Sequence, residues 1–295
     1  MLWVLPSAAQ NYVDIVKLHY AQGAPTNFKN SNHNTTVKEF NVDLLYPIPL
    51  KKGNTLLTGI LAEGVSARLT FLSSTITSVY SLNPKLGINV KHSPKWSGTY
   101  VLLPKISSDF KVIGMEDWQI GGLALLKYTQ NKNLNYKFGA YYNSEQFGPF
   151  IVPLLGLYYL SKDKRLELNL TLPMLADVNF ALKQKVKVGV NFLGLIRSYH
   201  LNEGFASASD VYLAKTTNEL FGYLQFDLSK SLLVQTKMGY SIGRSFYIYD
   251  DSDRISWGLS AIKFGDKRKE LNSKFEDGMV FRVRLIYRHH LEDKS

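Results

Sequence analysis

The sequence predicts an all-β chain folded as a transmembrane, antiparallel, up-and-down β-barrel of about 14 strands. Apolar and polar residues alternate over runs of a dozen or so, as in Leu82, Leu86, Ile88 and Val90 against Asn83, Lys85, Asn89 and Lys91. These runs arrive in hairpin after hairpin and exceed the roughly 5 to 6 residues usual for strands of globular sandwiches. No segment reaches the ~18 consecutive apolar residues of a spanning helix; the longest near-apolar run, residues 150–160, is interrupted by Pro153 and Gly156.

Taken in order, residues 13–21 form a first strand, with Val16, Leu18 and Tyr20 opposite Lys17 and His19. Residues 23–35, rich in Asn, Gly, Pro and Ser, read as a loop. Phe40, Val42, Leu44 and Tyr46 then alternate with Glu39, Asn41 and Asp43, and residues 47–54 turn the chain. Residues 56–71 are extended, with Gly59 and Gly64 as bulges or small inward positions. The alternating strand ending near Lys91 turns through Ser93, Pro94, Lys95 and Trp96 and resumes at Thr99. Residues 118–129 pair with a strand in which Leu134, Tyr136, Phe138, Ala140 and Tyr142 oppose Asn135, Lys137, Gly139 and Asn143. Residues 150–161 are apolar on both faces, so the inward side is expected to pack on a loop or plug.

Leu166, Leu168, Leu170 and Leu172 alternate with Glu167, Asn169 and Thr171, and Val178, Phe180 and Leu182 alternate with Asp177, Asn179 and Lys183. Pro173 between them marks a tight hairpin, giving about 14 strands, or a bend in one strand, giving about 12. Val186, Val188, Val190, Phe192 and Ile196 oppose Lys187, Asn191 and Arg197; Leu220, Leu224, Phe226 and Leu228 oppose Glu219, Gln225 and Asp227. Leu232, Val234, Met238, Tyr240, Ile242, Phe246 and Ile248 are assigned to one oily face, opposite Gln235, Lys237, Gly239, Ser241 and Gly243. Residues 250–278 read as a large external loop, and Phe281, Val283, Leu285 and Tyr287 close the chain against Arg282, Arg284 and Arg288. Short turns after Tyr46, His92, Thr129, Ser161, Leu182 and Leu228 belong on one side together with both termini, and the longer loops on the other.

Aromatics make up 13% of the 295 residues, and Tyr20, Tyr46, Trp96, Trp118, Tyr128, Tyr142 and Tyr287 fall near strand ends, where interfacial girdles form. The mean hydropathy of -0.12 fits a barrel, because alternate residues face water. The net charge of +11 is spread singly along strands and turns, with no basic tract, so no nucleic-acid partner is expected. Cysteine is absent, which removes disulfides, thiolate metal sites and a cysteine nucleophile. Leu2 to Leu5 followed by Pro6, Ser7, Ala8, Ala9 and Gln10 look like the end of a signal peptide; residues 1–9 are expected to be its remnant and 10–295 one barrel domain.

Three stretches carry a family resemblance: Val13 through Lys38, Glu39, Phe40, Asn41 and Val42 to Pro47, Ile48, Pro49 and Leu50; the Trp96 hairpin ending at Pro104, Lys105, Ile106, Ser107, Ser108, Asp109 and Phe110; and the last strand, Phe281 to Arg288. Together they resemble an uncharacterised family of Bacteroidota outer-membrane β-barrel proteins. The resemblance spans most of the chain and implies a barrel in the outer membrane of a Gram-negative bacterium. It carries over no functional residue.

No phosphate-binding loop, dinucleotide fingerprint or metal-ligand spacing is present, so no cofactor and no metal are expected. Ser198 and His200 share a strand face, the one geometric demand of a serine hydrolase that the sequence meets; without a third orienting residue, no enzyme is expected. The informative constellation is the set of charges assigned to the lumen: Lys17, Glu39, Asp43, Lys85, Lys91, Lys137, Glu167, Lys187, Glu219, Asp227, Lys237, Arg282, Arg284 and Arg288. Closure sets the last strand beside the first and makes a basic wall of Arg282, Arg284 and Arg288 between Lys237 and Lys17. The expected function is a passive, porin-like channel for small solutes with a mild anion preference. The alternative is a structural or accessory barrel without channel activity, and the expected partners are outer-membrane lipids and other envelope proteins.

Overall fold

The computed structural model describes residues 12–205 and 208–290. The signal-like stretch 1–9 lies outside them. Fourteen strands run in order: β1 (Tyr12–Gly23), β2 (Lys38–Pro49), β3 (Thr55–Arg68), β4 (Ile76–Lys91), β5 (Trp96–Ser108), β6 (Trp118–Asn131), β7 (Leu134–Glu145), β8 (Gly148–Leu160), β9 (Leu166–Leu172), β10 (Leu175–Lys183), β11 (Val186–Leu201), β12 (Val211–Asp227), β13 (Leu232–Asp250) and β14 (Gly278–His290). Each pairs antiparallel with its sequence neighbours, and β14 pairs with β1, so the sheet closes into a barrel. Pro173 lies in the hairpin between β9 and β10, which settles the strand number at fourteen rather than twelve.

Short turns and the ends of β1 and β14 share one end of the barrel. The other end carries the long loops, except for tight hairpins at residues 146–147 and 173–174. Among the described residues no helix is long and apolar enough to cross a membrane. The outer face is oily: Leu86, Leu102, Phe138, Leu155, Leu220 and Phe281 are exposed, while Lys17, Asp43, Lys85, Lys237 and Arg282 are buried inside. A water-soluble protein is built the other way round, and burying this exterior requires a hydrocarbon surround. Tyr46, Trp96 and Tyr287 stand exposed around the short-turn end, and Trp118 and Tyr142 toward the other.

The interior is divided. Val101, Leu123, Leu125, Tyr141, Val152 and Leu154 give β5 to β8 an apolar inner face, joined by Leu45 and Leu57 of β2 and β3. β8 does pack on a loop: Phe150 and Phe147 meet Ile255, and the upper part of β8 pairs with the short strand Trp257–Leu259 through Phe150 and Gly258. That edge is free because the β9–β10 hairpin is short, with seven and nine residues per strand. β11 is likewise left without β10 beyond Leu193.

Assignments from the sequence fail near the long-loop end, where Ile196, set on the oily face of β11, packs instead against the inner apolar cluster. Ile242 is 52% exposed on the outer face, but Phe246 and Ile248 are buried at 2% and 0% instead of continuing that face. The ladder with β12 shifts between Thr216 and Asn218, beside Gly243 at φ 62°, and above this bulge β11 to β13 enter a loop-covered cap. There Phe28, Leu69, Tyr199, Val211, Phe246 and Phe275 form an apolar cluster of their own.

Candidate functional site

The charged inner face is assembled by the period of two, and closure brings distant strands within reach of one another. Lys17 on β1 and Lys85 on β4 both pair with Asp43 on β2, Lys17 at 3.1 Å. Glu39 pairs with Lys215 and lies 3.7 Å from Arg282, which is itself 2.8 Å from Glu219. Arg288 binds Asp14 at 2.7 Å. Glu167 accepts hydrogen bonds from Tyr12 at 2.8 Å and Tyr158 at 3.1 Å, with Lys187 at 4.0 Å. Lys137 donates to Asn169 at 2.6 Å, and Asp227 accepts from Gln225 at 2.7 Å. Lys91 is exposed at the short-turn end.

The basic wall is present in register but largely neutralised. Arg282 stands opposite Lys237 on β13 and Ala21 on β1, and Arg284 stands opposite Gln235 and His19. Carboxylates hold Arg282, Arg288 and Lys17. Among the described residues Arg284 and Lys237 have no carboxylate within salt-bridge distance; Lys237 donates to Asn191 at 3.3 Å and sits 4.5 Å above the Tyr223 ring, while the Arg284 Nε is buried without a partner. A small polar cavity of about 80 Å³ adjoins Arg284, Asp177 and Glu167.

Near the long-loop end β11 crosses the lumen. Its Arg197 reaches Glu63 on β3 at 3.4 Å, while the adjacent Ser198 turns the other way to Glu145 on β7, donating through both N–H and Oγ at 2.7 and 2.6 Å. Glu145 also accepts from Lys105 at 3.2 Å. Ser107 on β5 and Gln119 on β6 donate to the Ser198 carbonyl at 2.7 and 3.1 Å, and His200 bridges to Ser108 in a short parallel ladder. The free edge that the short hairpin leaves on β11 is thereby satisfied from the far wall. Neighbouring residues of one strand thus bind different strands of the wall, Arg197 on β3 and Ser198 on β7, so this strap spans part of the interior.

Ser198 and His200 form no catalytic pair. The serine donates to Glu145 and accepts from the Gln146 N–H at 2.7 Å, whereas the His200 Nδ1 contacts Asp117 at 2.8 Å. Both side chains are buried and committed to separate partners. Among the described residues no group of three or more His, Asp or Glu side chains is placed to hold a metal ion.

At the short-turn end a vestibule of about 780 Å³ opens, lined among others by Pro47, Thr55, Asn89, Lys91 and Lys127.

The profile of a family described as a domain of unknown function (DUF6268) matches residues 7–262. The chain belongs to this family. No curated protein matches it. Solved structures similar to this DUF6268 chain include the COG4313 outer-membrane channel of Pseudomonas putida F1, at 10% identity and a TM-score of 0.46, over 93% of this chain and 94% of that one. A deletion mutant of the TodX monoaromatic hydrocarbon channel is similar at 9% identity and 0.43, over 94% and 91% of the two chains. The NanC porin is similar at 10% and 0.35, over 92% and 98%.

Several members of the DUF6268 interior are absent from the charges read off the sequence: Asp14, Glu63, Lys105, Asp117, Glu145, Arg197 and Lys215. Period-two phase gave a signal for several of them: Arg197 already stood on the polar face of its strand, Glu145 follows Asn143 by one repeat, Lys105 follows Val101 and Leu103, and Lys215 precedes Glu219 by whole repeats. On β5 that signal was masked, because Tyr100 and Leu102 make the outer face as oily as the inner one.

Proposed function

We propose that this chain is a porin-like channel for small solutes in the outer membrane of a Gram-negative bacterium, of Bacteroidota by the sequence resemblance, and that its passage is closed in the conformation described. An oily barrel whose neighbouring strands all pair suits that membrane, because backbone groups facing hydrocarbon find their partners within the wall. The observation that carries the channel reading is the vestibule of about 780 Å³, which opens at the short-turn end and stops beneath the charged layers. A barrel that served only as a membrane support has no need of such a space. Arg284 and Lys237, the two wall cations without carboxylate partners, favour anions in a narrow lumen.

Planar-bilayer recording tests this. Small, mildly anion-preferring conductance is expected, with Arg284→Gln and Lys237→Gln together moving the reversal potential toward cations. Replacing Arg282 instead changes selectivity less, since Glu219 and Glu39 already offset it. A second reading, an accessory barrel of an envelope assembly without conduction, is favoured by the Arg197–Glu63 ion pair and the Ser198–Glu145 hydrogen bonds made from β11. Absence of conductance in both the native chain and Glu145→Ala, which opens the strap, decides for that reading.

A further inference from the structure

We propose that the barrel wall is open between β1 and β2 at the short-turn end, and that the vestibule takes an amphipathic anion, one alkyl chain with an anionic head, through this opening. The inference rests on the outer-membrane reading but not on conduction.

Among the described residues the ladder shows the opening. β1 pairs with β2 from Gln22 and Lys38 as far as Val16 and Leu44, then stops, although β1 stays paired with β14 down to Tyr12 and His290. β2 meanwhile stays paired with β3 to Pro49 and Thr55. The four unpaired residues of β1 correspond to about 13 Å of strand. The sequence of β2 keeps the strands apart beyond Leu45. Leu50 donates its N–H to the Asn54 carbonyl on the β3 side, so in an antiparallel strand Ile48 and Tyr46 also face β3, and Pro47 and Pro49 face β1. Proline has no N–H, and β2 therefore offers β1 no donor at either position. β1 in turn bulges between Asp14 and Val16 and sends Tyr12 across the lumen to Glu167, drawing its first residues inward. Val13 ends up buried against the inner-face cluster that contains Leu45 and Leu57.

The cavity shows that the opening leads somewhere. Inner-face residues Pro49, Thr55 and Lys127 and outer-face residues Tyr46 and Tyr287 line the same space, which joins the two sides of the wall. Its volume of about 780 Å³ lies within the range of small-molecule sites. Among the described residues the chemistry of the lining has one sign: Lys91, Lys95, Lys127 and His289 contribute to it, no described Asp or Glu does, and neither Lys91 nor Lys127 has a carboxylate within salt-bridge distance. Apolar Val13, Ile15 and the two prolines occupy the side next to the gap. An apolar floor with uncompensated ammonium groups at its mouth fits an alkyl anion and disfavours a cation or a doubly charged polar solute.

The test uses the full chain reconstituted in phosphatidylcholine vesicles, with a dansyl-labelled undecanoate as probe and a dansyl-labelled alkylamine of equal length as control. Saturable binding of the carboxylate but not the amine is expected, weakened about tenfold in Lys91→Gln with Lys127→Gln by loss of charge-assisted contacts. Because the chain has no cysteine, Val13→Cys with Pro47→Cys can be bridged by a short bismaleimide across the gap. Bridging is expected to slow probe exchange about tenfold relative to the same variant unbridged. Equal binding of amine and carboxylate, or no loss in the lysine variant, overturns the site; unchanged exchange after bridging overturns the lateral route. Failure of the chain to insert into vesicles overturns the outer-membrane reading itself, whereas inserted, heat-modifiable protein that ignores the probe overturns this inference alone.

Discussion

At the long-loop end β11 lies across the lumen with Arg197 on Glu63 and Ser198 on Glu145; at the short-turn end Tyr12 reaches across to Glu167 beside a ladder that has come apart. The first closure joins two buried carboxylates on different strands, Glu63 with Arg197 and Glu145 with Lys105 and Ser198, so removing either carboxylate leaves a buried cation without its partner. The second is a neutral phenol on a carboxylate, next to an unfilled space. A barrel with one committed end and one adaptable end separates the element that holds the interior shut from the element that meets a ligand.

The largest expected effect lies at the committed end. Glu145→Ala leaves the Lys105 ammonium and the Ser198 N–H buried without their acceptor, and the barrel should lose about 3–5 kcal/mol, read as a lower urea midpoint in reversible folding into vesicles. An equal loss from a substitution lining the vestibule breaks the contrast between the ends. Next comes the wall that both ends share. Ile88→Arg sets a charge on the oily face and should cost about 2–4 kcal/mol in the same assay, whereas Asn89→Arg, which points into the vestibule, should fold normally. Equal tolerance of the two defeats the facing assignment.

A smaller loss, about 1.5–3 kcal/mol, is expected for Tyr12→Phe, because a hydrogen bond to a charged acceptor is removed while Tyr158 still donates to Glu167. Its folding midpoint should therefore lie between those of the native chain and Glu145→Ala. The smallest effect is one of pH on the cap. Hydrogen bonds from Arg268 hold the Asp266 carboxyl below its ordinary value, and Arg268 stacks 4.3 Å above the Tyr249 ring. A depressed acid contributes stability that is fully present above its unfolded pKa, about 3.9, and is lost as pH falls through the folded value. Protease cleavage within residues 265–270 should therefore rise below about pH 4, and Asp266→Asn should remove that pH dependence.

Much of this barrel is written locally. Leu166 to Leu172 against Glu167 and Asn169 declares strand, face and register by spacing alone, and the turns after His92 and Thr129 fix which end is which. Pro173 was ambiguous because a hairpin and a bend look alike until β9 and β10 pair. Phe246 and Ile248 kept the correct period and still ended on the wrong face, since a bulge at Gly243 and a covering loop lie outside any period.

By itself the sequence determined the all-β class, the alternating faces, the even strand number and the charges available to the interior, because these follow from the two-residue repeat of a strand. Only the tertiary structure decided which charges meet. Glu63 and Arg197 are 134 residues apart, Tyr12 and Glu167 are 155 apart, and no local pattern encodes a chord across a closed sheet. The same holds for the gap beside β1: Pro47 and Pro49 are plain in the sequence, but which neighbour loses its donors depends on the register, and register is set only when the barrel closes.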